Sequence, residues 1–285
     1  MDQSTPPNDS KKPVIDWRRI YPHANHRWSM GVRPGDLETF LARRDSTAAV
    51  LEERACWLAA DPDTYSALLP EALPALADTV GLARSLGADI DPQAEPKAQL
   101  LAIGRCWEAD FVWMHADATG QHRLIGGVVC FPSGWALGDK LGRTMSEIHD
   151  PVPGLNQTLG KPIEAFMARQ RPGDVWVREN VNFARDCNLN HHPAQPKALI
   201  DASVRPEEFW FRFEHQLLLK LPSSGSILFC IRIEHHALAD VLPDEASAAR
   251  LADIFTTMSE PAAVYKGIAS AREILRAMCD GKGQK

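Results

Sequence analysis

The sequence lacks most of the patterns that announce a function directly. No stretch approaches the roughly 18 consecutive apolar residues of a bilayer-spanning helix, and the first thirty residues are polar, Pro-containing and broken by charge rather than arranged as a secretion signal. The expectation is a cytoplasmic protein with no membrane partner. Basic residues are not in excess. The 31 Lys and Arg stand against 37 Asp and Glu, a formal charge of −6, and no basic run concentrates a field that could hold a phosphate backbone, so nucleic acid is not an expected partner. Six cysteines (Cys56, Cys106, Cys130, Cys187, Cys230, Cys279) occur without CxxC spacing. That argues against structural zinc, iron–sulfur clusters and a disulfide framework, and leaves most of them as small core residues. GxxxxGK[ST] and GxGxxG phosphate loops are missing, and LPSSGS reads as a hairpin turn rather than a strained nucleophile elbow. Nucleotide binding and serine hydrolysis drop out, and no internal repeat is found.

What is present is an ordinary globular composition: 285 residues, 45% hydrophobic and 24% charged, enough for one large domain with a substantial core. Residues 1–16 have almost no apolar content and read as a disordered tail, leaving 17–285 as a single domain. From Asp36 to Leu86 apolar residues recur at helical spacing, interrupted at DPDTY and LLPEALP, which predicts a helical N-terminal extension over about 36–104. A second helical extension, over about 244–280, carries Leu251, Ile254, Phe255, Ile274 and Leu275. Between them the period falls to two. A hairpin is expected around Trp107–Met114 and LIGGVVCF, then an irregular crossing, an amphipathic helix near Leu155–Arg169, and strands over DVWVRENVNFA, EEFWFRFEHQLLL and SILFCIRIEHH. Two strands, a helical crossing and three strands give an α+β fold with the element order of a PAS domain: an antiparallel five-stranded sheet flanked by N- and C-terminal helical additions.

Several segments in fixed order carry a resemblance. They are Trp135-Ala136-Leu137 with Lys140 and Gly142, then Ile148-His149-Asp150-Pro151-Val152-Pro153-Gly154, then Arg178 with Asn180. Arg212, Glu214 and Gln216 on one strand, LPSSGSILF, Ile231-Arg232 and Tyr265-Lys266-Gly267 complete the set. Together they resemble the family that contains the α subunit of haem-dependent dimethylamine N-demethylase, over roughly residues 30–280. The resemblance implies a PAS-like fold binding haem b, with dioxygen and a small methylated amine as substrates. It also implies electrons delivered by an external flavin and iron–sulfur reductase. The chain's oligomeric state is not implied.

His149 is the expected iron ligand, because a neutral imidazole suits iron and the crossing segment is where a PAS domain presents one; a capping or turn role before the next helix is its bland alternative. Alternation places Trp210, Arg212, Glu214 and Gln216 on one strand face. Arg212 is expected to polarise bound oxygen, with Glu214 or Asp186 as its carboxylate partner and as the proton-handling, substrate-orienting group. A solvated Arg–Glu pair is the alternative. By resemblance, Asp186 and Arg212 take the places of the demethylase's pocket carboxylate and arginine. Trp210 stands where that enzyme has tyrosine, which puts dimethylamine itself in doubt. Arg178 and Arg232, read as neighbouring-strand residues, compete with Lys140 and Arg143 for the haem propionates. His191-His192 and His235-His236, with Glu214, His215 or Glu234, offer a weaker non-haem iron reading, since adjacent strand residues face opposite ways and neither pair belongs to an HxD or HxE motif. The main reading is a haem-dependent oxidase. The others are a PAS-type sensor of oxygen, nitric oxide or redox state without turnover, and a subunit that has lost haem.

Overall fold

The computed structural model describes residues 15–281. The expected tail over 1–16 therefore lies outside the described residues, except for Ile15 and Asp16; the Asp16 side chain caps the helix Trp17–Ile20. Among the described residues, no helix is long and apolar enough to cross a membrane.

Among the described residues seven strands form one antiparallel sheet: β1 (Arg33–Pro34), β2 (Ser66–Leu68), β3 (Asp110–Ala116), β4 (His122–Val128), β5 (Val175–Ala184), β6 (Trp210–Lys220) and β7 (Ile227–Ala237). Their order is β1-β5-β6-β7-β3-β4-β2. The expected count of five is thus corrected to seven. The five strands read from alternation are β3 to β7, and the two additions sit at the sheet edges. Two or three residues are too few to show a period of two, and Pro34 is tolerated because an edge strand has one side free of ladder bonds. Arg178 and Arg232 are not on neighbouring strands either, because β6 lies between β5 and β7.

Strand parity then decides the two faces. The β5–β6 register pairs Val181 with Phe213 and Phe183 with Phe211, and these residues pack on Leu251, Ile254, Phe255 and Leu275 of the C-terminal helices. The same sheet side, through Phe111, Trp113, Leu217 and Cys230, packs on Leu58, Leu76, Leu100 and Ile103 of the N-terminal helices. The principal helices on this side are Thr47–Ala60, Leu73–Ser85, Pro96–Cys106, Glu245–Thr257 and Arg272–Cys279. Trp113 joins the sheet to one of them by donating its indole N–H to Thr79 Oγ1 at 2.9 Å. Gly127, at φ +149°, is required where β4 runs against β3, because a Cβ there would collide with the Phe111 carbonyl.

The opposite face is covered by the crossing segment, with residues 28–32, the loop after β5 and the segment Tyr265–Gly267 closing the rest of it. The crossing segment comprises short helices Leu137–Lys140 and Met145–His149, a π-helical turn Asn156–Gly160 and the helix Lys161–Arg169. Asp110 fastens its start. The buried Arg54–Asp110 ion pair leaves the carboxylate free to accept the Cys130 and Phe131 backbone N–H groups at 2.7 and 2.9 Å, so the chain leaving β4 is held before it reaches Ser133. All six cysteines are free, and Cys130, Cys230 and Cys279 are the buried ones, so the core role expected for most applies to half.

Candidate functional site

Between the crossing segment and the sheet lies a cavity of about 510 Å³, within the range of pockets that hold small molecules and cofactors. Its floor has two parts. Val112, Met114, Leu124, Leu218, Ile227, Phe229 and Ile231 make an apolar plate over β3, β4, β6 and β7. Arg178, Asn180, Asn182, Arg212, Glu214 and Gln216 make a polar one over β5 and β6. The division follows from register: Arg178 faces Gln216, Asn180 faces Glu214 and Asn182 faces Arg212 across the β5–β6 ladder, so all six share one face.

His149 hangs over this floor from the roof. It is the last residue of the helix Met145–His149, whose start is fixed by a capping box of Thr144 and Glu147. It is therefore neither an N-cap nor a loop residue. Lys140 Nζ donates to the Ile148 carbonyl at 3.2 Å and holds the end of this helix. The imidazole is half-buried in the cavity lining, and its Nδ1 is buried without a hydrogen-bond partner. Burial, with the Arg178 and Lys140 charges behind it, pushes its pKa down to about 4 and keeps it neutral.

Arg212 is completely buried. Its Nε donates to Ser133 Oγ at 2.9 Å, Nη1 to the Asn188 carbonyl and His235 Nε2 at 3.1 Å each, and Nη2 to the Phe131 and Leu189 carbonyls at 2.6 Å each. A guanidinium has five N–H donors, and all five are used within the protein. His235, which accepts one of them, is held neutral by burial with its pKa down at about 3. Glu214 is equally committed. Oε1 accepts from Ser133 Oγ (2.6 Å) and Asn182 Nδ2 (2.9 Å), and Oε2 from Asn180 Nδ2 (3.0 Å) and Gln216 Nε2 (2.8 Å). Neither group has hydrogen-bonding capacity to spare, and neither touches the other directly.

Asp186 lies in the loop after β5, away from Arg212's donors and outside the cavity lining. Its Oδ1 meets His191 Nε2 at 2.9 Å, and His191 does line the cavity. An ionised Asp186 places the proton on Nε2 and leaves Nδ1 as the basic nitrogen, while burial lowers the His191 pKa. Trp210, at the start of β6, shares the face of Arg212 but is not part of the cavity wall.

The proposed propionate partners separate cleanly. Arg178 and Lys140 line the cavity; Arg178 donates to Gln216 Oε1 at 2.9 Å, and its Nε is buried without a partner. Arg232 points to the other side of the sheet, where Nη1 donates to the Phe40 carbonyl at 2.7 Å and the guanidinium lies over the Phe40 ring. Arg143 is exposed and outside the lining. His215 and His236 each bond Glu234 at 2.9 Å on that other side, and among the described residues no cluster of three or more His, Cys, Asp or Glu is arranged to hold a metal ion.

Ser133, Asn180, Asn182, Lys197 and Lys266 belong to the cavity without having been assigned a role from the sequence. Asn180 and Asn182 were findable, as polar residues alternating with Arg178 on a strand otherwise rich in Val, Trp and Phe. Ser133 and Lys197 sit in irregular segments, where no periodicity indicates direction.

An imidazole with a free, buried nitrogen, an apolar plate and two lining cations, Arg178 and Lys140, fit a haem with two propionates. The family model described as haem-dependent oxidative N-demethylase, alpha subunit-like, matches residues 48–276.

Proposed function

The chain belongs to the haem-dependent oxidative N-demethylase, alpha subunit-like family, and from that premise we propose that the cavity is the haem b site of an enzyme that removes a methyl group from an amine. The observation that carries this reading is His149, a neutral imidazole with its Nδ1 buried and unpartnered over an apolar plate. The order β5-β6-β7-β3-β4, taken without the edge strands, supports reading the core as a PAS-like sheet.

His149 would ligate the iron, and Arg178 and Lys140 would hold the propionates. Haem would supply dioxygen activation. In the net change one N-methyl amine, one dioxygen, two electrons and two protons give the amine with hydrogen in place of the methyl group, one formaldehyde and one water. The electrons come from an external reductase of the flavin and iron–sulfur class.

The chain's own residues divide the rest. An amine reaches a neutral solution protonated, and its nitrogen must lose that proton before the methyl group is oxidised. His191, in the cavity lining, would accept it, with Asp186 holding the ring by its Nε2–H. Arg212, Ser133 and Glu214 then form a rigid wall rather than reacting groups, because their donors and acceptors are consumed by one another and by the backbone. That wall keeps the cavity open in the face of the desolvation cost of two charges.

The absorption spectrum of protein from haem-replete cells tests this reading. A Soret band in the wild type that is lost in His149→Ala supports it, and an unchanged band in the variant overturns it. Consumption of NADPH and oxygen with a reductase and an amine separates the enzyme from a sensor, which would bind haem without turnover.

A further inference from the structure

Charge in the cavity is lopsided. Among the described residues five cations line it, Arg178, Arg212, Lys140, Lys197 and Lys266, against one carboxylate, Glu214. Arg212 and Glu214 have no free hydrogen-bonding capacity, so the balance available to a ligand rests on the remaining four.

Lys266 is unlike the others. It is 8% exposed, and its Nζ donates to the Val181 carbonyl at 2.5 Å and to Asn182 Oδ1 at 3.1 Å, both neutral acceptors. An ammonium has three hydrogens, and these contacts use two. Among the described residues no carboxylate lies within ion-pair distance of it. The Trp28 and Phe183 rings, 5.7 and 5.9 Å from Nζ, favour the cation but do not neutralise it. The fold also takes care to place it. Lys266 ends the helix Glu260–Tyr265, and Gly267, at φ +70°, turns the chain away immediately afterwards. Glu214 reaches it only through Asn182, whose Nδ2 donates to Glu214 Oε1 at 2.9 Å, and that carboxylate is already shared among four donors. Burying an ammonium without a directly bonded counterion is costly, and the cost is recovered when an anion arrives.

Two propionates would occupy Arg178 and Lys140. Lys266 would still face the cavity without a directly bonded anion, with the exposed Lys197 adding positive charge at the lining. We propose that Lys266 anchors a carboxylate of the substrate, so that the methylated amine taken by this cavity is an N-methyl amino acid or a similar amine with a carboxylate, not a bare alkylamine. A dimethylammonium ion would enter a positively charged wall with no free carboxylate to receive it. An amino acid brings its own negative group to Lys266. This inference rests on the demethylase reading and narrows its substrate.

The test is calorimetric titration of the haem-loaded protein with N-methyl α-amino acids (N,N-dimethylglycine, N-methylalanine), their amides and dimethylamine. At least one acid is expected to bind about tenfold or more tightly than its amide and than dimethylamine, the worth of one charge-assisted contact. Lys266→Met is expected to abolish that preference and Lys266→Arg to retain most of it. The proposal is overturned if no acid binds more tightly than its amide, or if a folded Lys266→Met protein keeps the preference; should that variant not fold, the wild-type comparison decides alone. The His149-dependent Soret band is read on the same samples. Its absence would defeat the demethylase reading, whereas its presence without a carboxylate preference would defeat only the substrate assignment.

Discussion

Arg212 and Glu214 stand two residues apart on β6, both facing the cavity, and their charges are joined only through Ser133, whose hydroxyl accepts from Arg212 Nε at 2.9 Å and donates to Glu214 Oε1 at 2.6 Å. With the other four N–H groups of Arg212 bound to three backbone carbonyls and His235, the guanidinium acts as a fastener for the loops at Phe131 and Asn188–Leu189. Arg212→Met is therefore expected to cost about 3–5 kcal/mol in urea unfolding, since three backbone carbonyls, His235 and Ser133 lose their donor at once and the buried Glu214 charge keeps no neighbouring cation on its strand. Arg212→Lys should recover little, because three donors cannot replace a planar fork of five. A Lys variant of wild-type stability would show that the guanidinium is not structural.

Arg178 and Arg232, similar in sequence context, are separated by strand parity and should behave oppositely. Arg178→Met is expected to speed haem loss to an apomyoglobin acceptor by about tenfold or more, the worth of a charge-assisted hydrogen bond of about 1.5–3 kcal/mol. Arg232→Met should leave haem retention unchanged while lowering stability, as it removes the bond to the Phe40 carbonyl and the stacking on that ring. Equal haem loss from both variants would refute the assignment of propionate partners.

The contrast shows what the sequence makes legible. Alternation in EEFWFRFEHQLLL correctly groups Arg212, Glu214 and Gln216 on one face, because a strand of eleven residues has only two sides. The same rule cannot say which side carries the cavity, and Arg232 is on the wrong one. The helical spacing of Leu251, Ile254 and Phe255 falls on one helix, Glu245–Thr257, while β1 and β2 leave no such mark, being shorter than two repeats of the strand pattern. Direction in loops is set by tertiary packing. Asp186 was legible as a carboxylate near the pocket, but its partner is His191, five residues on, not Arg212. Lys266 was visible as part of a motif, yet its burial depends on Val181 and Asn182, more than eighty residues away.

The Asp186–His191 pair makes a pH prediction. Burial lowers the His191 pKa below its ordinary 6.5, with the Asp186 hydrogen bond opposing the shift. A base must be unprotonated, so kcat/KM should fall as pH drops through a limb below 6.5. His191→Gln should remove that limb and reduce kcat/KM by about 10²–10⁴-fold. Asp186→Asn should move the limb to still lower pH, because the group that raises the pKa is gone, and should reduce the rate through loss of the tautomer. A wild-type acid limb that persists in His191→Gln would assign the proton to another group.

Lys266 makes the last prediction, in which stability and binding run in opposite directions with pH. Burial pushes its pKa down from 10.5 to about 8, so between those values the unfolded chain holds a proton that the folded chain does not. Folded stability without ligand should therefore rise as pH increases from about 8 to 10.5, by up to about 3 kcal/mol at 1.36 kcal/mol per unit. Carboxylate binding needs the protonated ammonium, and so should weaken over the same rise. Urea unfolding of the haem-free wild type minus that of Lys266→Met, from pH 7 to 10, isolates the first effect, and titration with N-methyl amino acids follows the second. The difference curve should slope upward while the affinity declines, because a lysine buried for want of an anion gains from losing its charge only when no anion is bound. A flat difference curve would mean that the fold already neutralises Lys266, which would remove the reason for a substrate to do so.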